Sequence, residues 1–116
     1  MKKQATTHQP CHTPSLCYEA QALRALADPT RLVILRALAD EPCCVSSLAQ
    51  TLQLPQPTVS RHLRILHDLL LVSARRQGQN VLYELRDRRV IEAIALLRQA
   101  LNETSSELTR RLGATH

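Results

Sequence analysis

The 116-residue sequence has no phenylalanine, no tryptophan, two tyrosines and two glycines. The scarcity of aromatic side chains excludes a protein that binds single-stranded nucleic acid by stacking bases on aromatic rings. The scarcity of glycine excludes a glycine-rich loop that cradles phosphate groups, and no Ser-His-Asp order suggests a nucleophilic site. We therefore do not expect an enzyme, and the core has to be built from aliphatic side chains.

Long hydrophobic runs are also missing. The longest runs, such as residues 93–97, are four or five residues long, whereas a membrane-spanning helix needs about 20. Met1-Lys2-Lys3 is followed by polar residues rather than by the apolar stretch of a secretion signal. We therefore expect a cytoplasmic protein with no membrane partner. Its four cysteines are then expected to be reduced, and available for metal or redox chemistry.

Positive charge is what the sequence has in excess, with a formal net charge of +5. Most of this excess lies in residues 60–89, where seven arginines are set against three carboxylates. A basic chain favours an acidic partner. Double-stranded DNA fits this requirement best, because base stacking and membrane insertion are both disfavoured.

The length suffices for one domain with a modest core. Residues 1–15 are polar, contain two prolines and have no periodicity, which predicts a flexible N-terminal arm. We expect one folded domain over residues 16–112 and a disordered tail over residues 113–116. Three helices are predicted in the first half of this domain: one over 16–27, one over 30–40 with Asp28 as its N-cap, and a short one capped by Ser46 or Ser47 that ends at Gln53.

The stretch from Gln53 to Leu70, QLPQPTVSRHLRILHDLL, carries the strongest pattern. Its two prolines end the short helix and start another at once. Apolar side chains that predict a buried helix face recur at Val59, Leu63, Leu66 and Leu70. The opposite face carries side chains that can bond bases and phosphates in a major groove, namely Thr58, Ser60, Arg61 and Arg64. The short connection Leu54–Gln56 has the length of the turn in a helix-turn-helix.

A β-hairpin is predicted directly after this recognition helix. Its strands cover residues 71–75 and 81–85, and the connection between them contains Gly78 and Asn80, which tolerate positive φ angles in a hairpin turn. Two basic side chains lie near its tip, Arg75 and Arg76. A basic hairpin in this position is typical of a winged helix-turn-helix, in which the wing lies along the DNA backbone or in the minor groove.

A last long helix is predicted over residues 88–112, with Asp87 as its cap. Large aliphatic side chains form a wide stripe along it, at Val90, Ile91, Ile94, Leu96, Leu97, Leu101 and Leu108. One small domain cannot readily cover such a stripe, so we expect a homodimer through the first and last helices. The expected fold is mainly α with a small β-hairpin wing, and its dimer places two recognition helices about one DNA turn apart.

The segments ALADPTRLVILRAL (25–38), VSSLAQTL (45–52), QPTVSRHLRIL (56–66) and LVSARRQGQNVLYEL (71–85) resemble the ArsR/SmtB family of bacterial metal-sensing repressors. The resemblance implies a homodimeric winged helix that binds operator DNA when metal-free and releases it when a metal binds. It implies no organic cofactor. The positions that face operator DNA in the family correspond here to Gln56, Thr58, Ser60, Arg61 and His62. For His62 the alternative is a partly buried packing role.

One metal site of the family lies on the last helix and uses Asp, His, His and Glu across the dimer. Asp87 and Glu103 match its two carboxylates, but Arg89 and Ala100 stand at the two histidine positions. The arginine charge opposes a cation and no imidazole remains, so we expect this site to be absent. Asp87 is then a helix cap and Glu103 a solvated side chain.

The other family site joins thiolates at the start of the third helix to ligands from the N-terminal arm. Cys44 matches its first ligand position, while Ser46 or Ser47 replaces the second and Cys43 departs from the pattern. The arm adds further candidate ligands, Cys11 and Cys17, with His8 and His12 nearby. Thiolates favour soft ions, so the resemblance implies a site for Cd(II), Pb(II), Zn(II), Cu(I) or trivalent As and Sb.

Three alternatives stay open at this point. Cys43 and Cys44 can be small buried hydrophobic residues. They can form a redox or persulfide switch in a repressor of the same fold. The protein can also be a metal buffer. Any DNA binding would then be independent of the DNA sequence.

Overall fold

The computed structural model describes residues 14–114, which form five helices and one two-stranded antiparallel sheet. The elements follow in the order α1 (Pro14–Leu26), α2 (Pro29–Asp40), α3 (Val45–Leu52), α4 (Gln56–Asp68), β1 (Val72–Gln77), β2 (Asn80–Leu85) and α5 (Arg89–Ala114). This order confirms the predicted winged helix-turn-helix. One compact unit extends through Arg86 and a second begins at Asp87. None of the described helices has the length and apolar character needed to cross a membrane.

The core of the first unit is aliphatic, as predicted. The side chains with the least exposure come from α2, α3, α4 and β1, and they are Ile34, Leu35, Leu48, Val59, Leu63, Leu66 and Val72. The predicted apolar face of the recognition helix is therefore right at three positions and wrong at Leu70, which is 53% exposed. The reason is that α4 ends at Asp68 and Leu70 takes a left-handed φ of 62°, so the helical spacing no longer holds there.

The helix starts are set by two different kinds of cap. Asp28 caps α2 as predicted, since its carboxylate accepts the backbone N–H of Arg31 at 3.0 Å. The prediction for α3 is wrong, because the helix begins at Val45 and Cys44 is its N-cap residue. Cys44 has extended backbone angles, and its carbonyl accepts the first helical hydrogen bond from the N–H of Leu48 at 3.0 Å.

The wing is a tighter hairpin than the sequence predicted. Its strands run on to Gln77 and start again at Asn80, which pair with each other. Only a two-residue turn remains, in which Gly78 takes the positive φ of 64°. Asn80, which was predicted to lie in the connection, is instead the first residue of β2. At the base of the wing, Cys43 forms an isolated antiparallel bridge with Tyr83.

The two terminal helices are longer than expected. Helix α1 begins at Pro14, so residues 14–15 belong to it rather than to the arm, and residues 1–13 lie outside the described part. Helix α5 reaches Ala114, so residues 113–114 are helical rather than part of a tail. The large exposed apolar side chains of α5 are Leu96, Leu97, Leu101, Leu108 and Leu112, and those of α1 are Leu16, Tyr18 and Leu23.

Candidate DNA interface and thiol site

The exposed face of α4 carries the polar side chains that the sequence assigned to DNA. Val59, Leu63 and Leu66 have no exposed surface and hold the helix on the core. On the outward side lie Gln56, Ser60, Arg61 and Arg64, all exposed, with Thr58 half-buried at the helix start. Two guanidinium groups and a hydroxyl on one open helix face can contact base edges and phosphates.

His62 occupies a different environment from its neighbours. Its side chain is 14% exposed, and its Nδ1 lies 3.1 Å from Nη1 of Arg31 and 4.0 Å from a carboxylate oxygen of Asp28. The same arginine donates from Nε to the carbonyl of Ala25 at 2.6 Å. This geometry matches the alternative for His62, a partly buried packing role, and a contact of His62 with operator DNA stays a prediction. The role of Arg31 was not predicted, because nothing in local sequence spacing marks an arginine that reaches from α2 to α4.

The wing carries two arginines in unequal surroundings. Nε of Arg75 lies 3.4 Å from a carboxylate oxygen of Glu84, and its side chain is 55% exposed. Arg76, the next residue along β1, is also exposed. Because Glu84 offsets part of the charge of Arg75, Arg76 presents the stronger positive charge to a phosphate.

Cys44 is positioned as a reactive thiol at the start of α3. Its Sγ lies 3.2 Å from Oγ of Ser46 and 3.4 Å from Oγ of Ser47, both in the first helical turn. Hydrogen bonds with these hydroxyls, Ser46 first, lower the pKa of Cys44 to about 7, and backbone amides at the helix start add to the effect. Near neutral pH a large fraction of Cys44 is therefore a thiolate, the form that binds metal.

Cys43 differs from its neighbour in both contacts and ionisation. Its Sγ donates to the carbonyl of Glu41 at 3.4 Å. Partial burial, with the negative charges of Glu41, Cys44 and Asp40, raises the pKa of Cys43. Cys43 therefore stays protonated at a pH at which Cys44 ionises. Both are free thiols.

The remaining predicted ligands belong to the N-terminal part of the chain. Cys17 lies half-buried in α1 and is disulfide-bonded, so the expectation of four reduced cysteines is wrong for it. A disulfide sulfur is not a thiolate ligand, so Cys17 has to be reduced before it can bind a metal. Cys11, His8 and His12 lie outside the described residues. Across residues 14–114, no three His, Cys, Asp or Glu side chains are grouped so that they could hold a metal ion.

The start of α5 confirms the capping role of Asp87. Its carboxylate accepts the backbone N–H of Arg89 at 2.9 Å and also binds the guanidinium of that residue, with Nη2 at 2.7 Å. These bonds lower the pKa of Asp87 to about 2, the Arg89 side chain being the largest cause. Glu103 is exposed on the same helix. The guanidinium of Arg89 is thus bound to the Asp87 carboxylate that a metal cation would need as a ligand.

Known proteins support the same interpretation of the fold. The sequence model for bacterial regulatory proteins of the arsR family matches residues 28–74. The chain is 42% identical over 79 residues to the HTH-type transcriptional repressor SmtB of Mycobacterium tuberculosis. That alignment covers 65% of this chain and 58% of the repressor, so the chain spans less than two thirds of this relative.

Two solved structures are similar to this fold. One is the homodimeric winged helix-turn-helix DNA-binding domain of a possible ArsR-family regulator from Mycobacterium bovis, with a TM-score of 0.71 and 29% identity. The alignment covers 89% of this chain and 92% of the Mycobacterium bovis chain. The other is the cadmium metal-sensor CmtR from Mycobacterium tuberculosis, with a TM-score of 0.60 and 43% identity over 71% of this chain and 85% of that one.

An aliphatic core, a helix-turn-helix with an open basic face and a β-hairpin wing define a winged helix-turn-helix transcription regulator, not an enzyme. Within that class, the chain belongs to the ArsR family of bacterial regulatory proteins.

Proposed function

We propose that this protein is a cytoplasmic, metal- or metalloid-responsive transcriptional repressor. Its ion-free homodimer binds operator DNA, and a thiophilic ion bound to cysteine thiolates releases the DNA. The observation that carries the proposal is the position of Cys44, whose sulfur is hydrogen-bonded to Ser46 and Ser47 at the first turn of the helix before α4. An ion held there acts on the helix-turn-helix itself.

The DNA-binding half of the proposal rests on the charges and exposure of α4 and the wing. Arg61 and Arg64 lie on the exposed face of a helix whose other face is fully buried, which suits insertion into a major groove. Arg76 and Arg75 lie on the exposed part of β1 and can contact the DNA backbone. Gln56, Thr58 and Ser60 complete the contacts near the start of α4.

The homodimer is supported by apolar surface on each terminal helix. The exposed leucines of α5, from Leu96 to Leu112, are 54–67% accessible in the single chain. Leu16, Tyr18 and Leu23 of α1 are similarly exposed. Apolar surface of this extent marks an interaction site. The similar domain from Mycobacterium bovis is a homodimer.

The effector site is built around Cys44. A thiol that ionises near pH 7 binds soft ions such as Cd(II), Pb(II), Zn(II) or trivalent As and Sb at physiological pH. Because residues 14–114 contain no group of three or more His, Cys, Asp or Glu side chains that could hold an ion, we expect the site to be completed by the N-terminal part of the chain or by a second copy. Cys11 and reduced Cys17 are the proposed ligands, and Cys43 is a further one. The similar CmtR is a cadmium sensor.

A thiol-redox or persulfide switch is the second candidate, and the disulfide at Cys17 favours it. In that case oxidation of cysteine, rather than ion binding, changes the affinity for DNA. The same DNA surface serves both candidates.

Fluorescence anisotropy of the reduced protein on the DNA upstream of its own gene tests both candidates. The complex is titrated anaerobically with Cd(II), Zn(II) and arsenite in separate experiments. Stoichiometric release by one ion supports the sensor and identifies its effector. Release only by peroxide or polysulfide, reversed by dithiothreitol, supports the redox switch. Failure to bind this DNA specifically would contradict both.

A further inference from the structure

The segment between α2 and α3 contains two neighbouring thiols, Cys43 and Cys44, which we call the thiol pair. A backbone bridge joins this pair to the wing. The N–H of Cys43 donates to the carbonyl of Tyr83 at 3.0 Å, and the N–H of Tyr83 donates to the carbonyl of Cys43 at 2.8 Å. Tyr83 lies opposite Ala74 inside the hairpin, so β2 is flanked by β1 on one edge and by Cys43 on the other. The bridge fastens the base of the wing to the residue that precedes Cys44.

The two thiols point in different directions. Successive side chains alternate across an extended backbone, and Cys44 has a φ of −89° and a ψ of 168°. Sγ of Cys43 faces back to the carbonyl of Glu41, whereas Sγ of Cys44 faces forward to Ser46 and Ser47. The two sulfurs therefore face apart in this conformation, and an ion that binds both requires the segment to change its conformation.

We propose that the bridge between Cys43 and Tyr83 couples the thiol pair to the wing: an effector bound by both sulfurs breaks the bridge, whereas an effector bound by Cys44 alone leaves it intact. This inference rests on the proposed function for its placement of the effector at Cys44. It divides the thiophilic ligands into two classes, those that bind two neighbouring thiolates, such as trivalent arsenicals, and those that bind one, such as an organomercury cation.

The bridge adds to the packing of the hairpin on α2 and α4, because it gives β2 a backbone partner on its outer edge in a sheet of only two strands. An isolated two-stranded hairpin is marginally stable in water. Without Cys43 on its outer edge, β2 loses both backbone hydrogen bonds of Tyr83 outside the hairpin. The arginines of β1 then become more mobile, and ordering them again on DNA costs conformational entropy. An effector that takes both thiols therefore lowers DNA affinity through the wing, in addition to its action on α3.

The test uses two probes, one that binds two thiols and one that binds a single thiol. The protein is the full-length chain with Cys11→Ser and Cys17→Ser, so that only Cys43 and Cys44 can react. Phenylarsine oxide condenses with two thiols, forming two As–S bonds and releasing one water, and arsenic stays trivalent. Methylmercury forms one Hg–S bond and displaces one proton. Amide hydrogen exchange at Tyr83 is followed by NMR, and mass spectrometry counts the thiols consumed. The buried amide of Leu63 reports whether the fold is intact.

We expect exchange at Tyr83 to be at least tenfold faster in the arsenical adduct, and unchanged with methylmercury, while exchange at Leu63 stays the same. The matched control adds Cys43→Ser, which keeps the backbone bridge but removes one sulfur. In this variant phenylarsine oxide should leave exchange at Tyr83 unchanged. Unchanged exchange at Tyr83 in the two-thiol adduct, equal acceleration by methylmercury, or failure of the arsenical to bridge the pair would each overturn the proposal.

Operator binding by the unsubstituted protein, measured with the same ions, separates this proposal from the proposed function. If exchange at Tyr83 accelerates but no ion releases the DNA, the coupling stands and the sensor function fails. If an ion releases the DNA while the two-thiol adduct keeps Tyr83 protected, the sensor function stands and the coupling is wrong.

Discussion

Arg31 of α2 holds His62 of the recognition helix, with Nη1 of the arginine 3.1 Å from Nδ1 of the ring. An arginine only donates hydrogen bonds, so Nδ1 of His62 is the acceptor in this contact. The arginine is itself fixed by the carbonyl of Ala25 at 2.6 Å. The recognition helix is thereby tied through His62 to the chain around the start of α2.

Replacement of two adjacent residues separates support from DNA contact. We expect His62→Ala to lower the free energy of unfolding by about 1–3 kcal/mol, because it leaves a partly buried donor of Arg31 unpaired. Arg61→Ala, at an exposed position, should change stability by less than about 0.5 kcal/mol. Its effect should be on DNA, with about 1–3 kcal/mol of operator binding lost. Urea denaturation and anisotropy measure the two quantities, and a stability loss confined to Arg61→Ala would contradict this assignment.

The two wing arginines should contribute unequally to DNA binding. Arg76→Ala is expected to weaken binding to specific and unrelated DNA alike, and to reduce the salt dependence by about one unit of slope. Arg75→Ala should have the smaller effect, because Glu84 lies 3.4 Å from its guanidinium. The control Glu84→Gln removes that carboxylate charge and should tighten DNA binding. Anisotropy over a series of salt concentrations checks all three, and equal slopes for both arginine variants would rule out the difference.

The hydroxyl groups beside Cys44 should control its ionisation. In a variant that retains Cys44 as its only cysteine, the rate of alkylation by iodoacetamide should rise with pH around a midpoint of about 7. Adding Ser46→Ala removes the largest cause of the lowered pKa and should move the midpoint upward. Because protons compete with metal for the thiolate, affinity for Cd(II) should fall as the pH drops below this midpoint. An unchanged midpoint after Ser46→Ala would show that the hydroxyl is not responsible.

Gln53 should be a site at which glycine stabilises the protein. It ends α3 with a left-handed φ of 56° and is exposed, and this conformation costs a residue with a Cβ atom about 1–2 kcal/mol. Part of the gain is offset by the greater entropy of glycine in the unfolded chain, so Gln53→Gly should raise the free energy of unfolding by about 0.5–1 kcal/mol. The control Gln50→Gly, inside α3, should lower it by about 1 kcal/mol. Denaturant unfolding of both variants measures these two changes in the free energy of unfolding.

Local signals predicted the parts of the fold that depend on neighbouring residues. Asp28 followed by proline correctly marked the start of α2, and the spacing of Val59, Leu63 and Leu66 correctly predicted the buried face of α4. The same spacing failed at Leu70, because periodicity does not show that the chain turns after Asp68.

The errors at the candidate site come from contacts between distant parts of the chain. Serine is intrinsically the better N-cap, yet Cys44 takes that position because the bridge of Cys43 to Tyr83 sets an extended backbone just before it. The packing contact of His62 was not predicted, because its partner Arg31 is 31 residues away in sequence. The candidate ligand Cys44 itself was found from sequence by family resemblance, whereas its hydroxyl partners needed the structure.

Replacement of Cys44 by serine tests the central claim most directly. Operator affinity of Cys44→Ser is measured by anisotropy beside the unsubstituted protein, first ion-free and then with the ion that releases the latter. Because Cys44 lies at the start of α3 and not on the exposed face of α4 that we propose to contact DNA, ion-free affinity should stay within about twofold, which is less than about 0.5 kcal/mol. Ion-induced release should be lost. Normal release of DNA by the serine variant would contradict the proposal that Cys44 is the sensing thiolate.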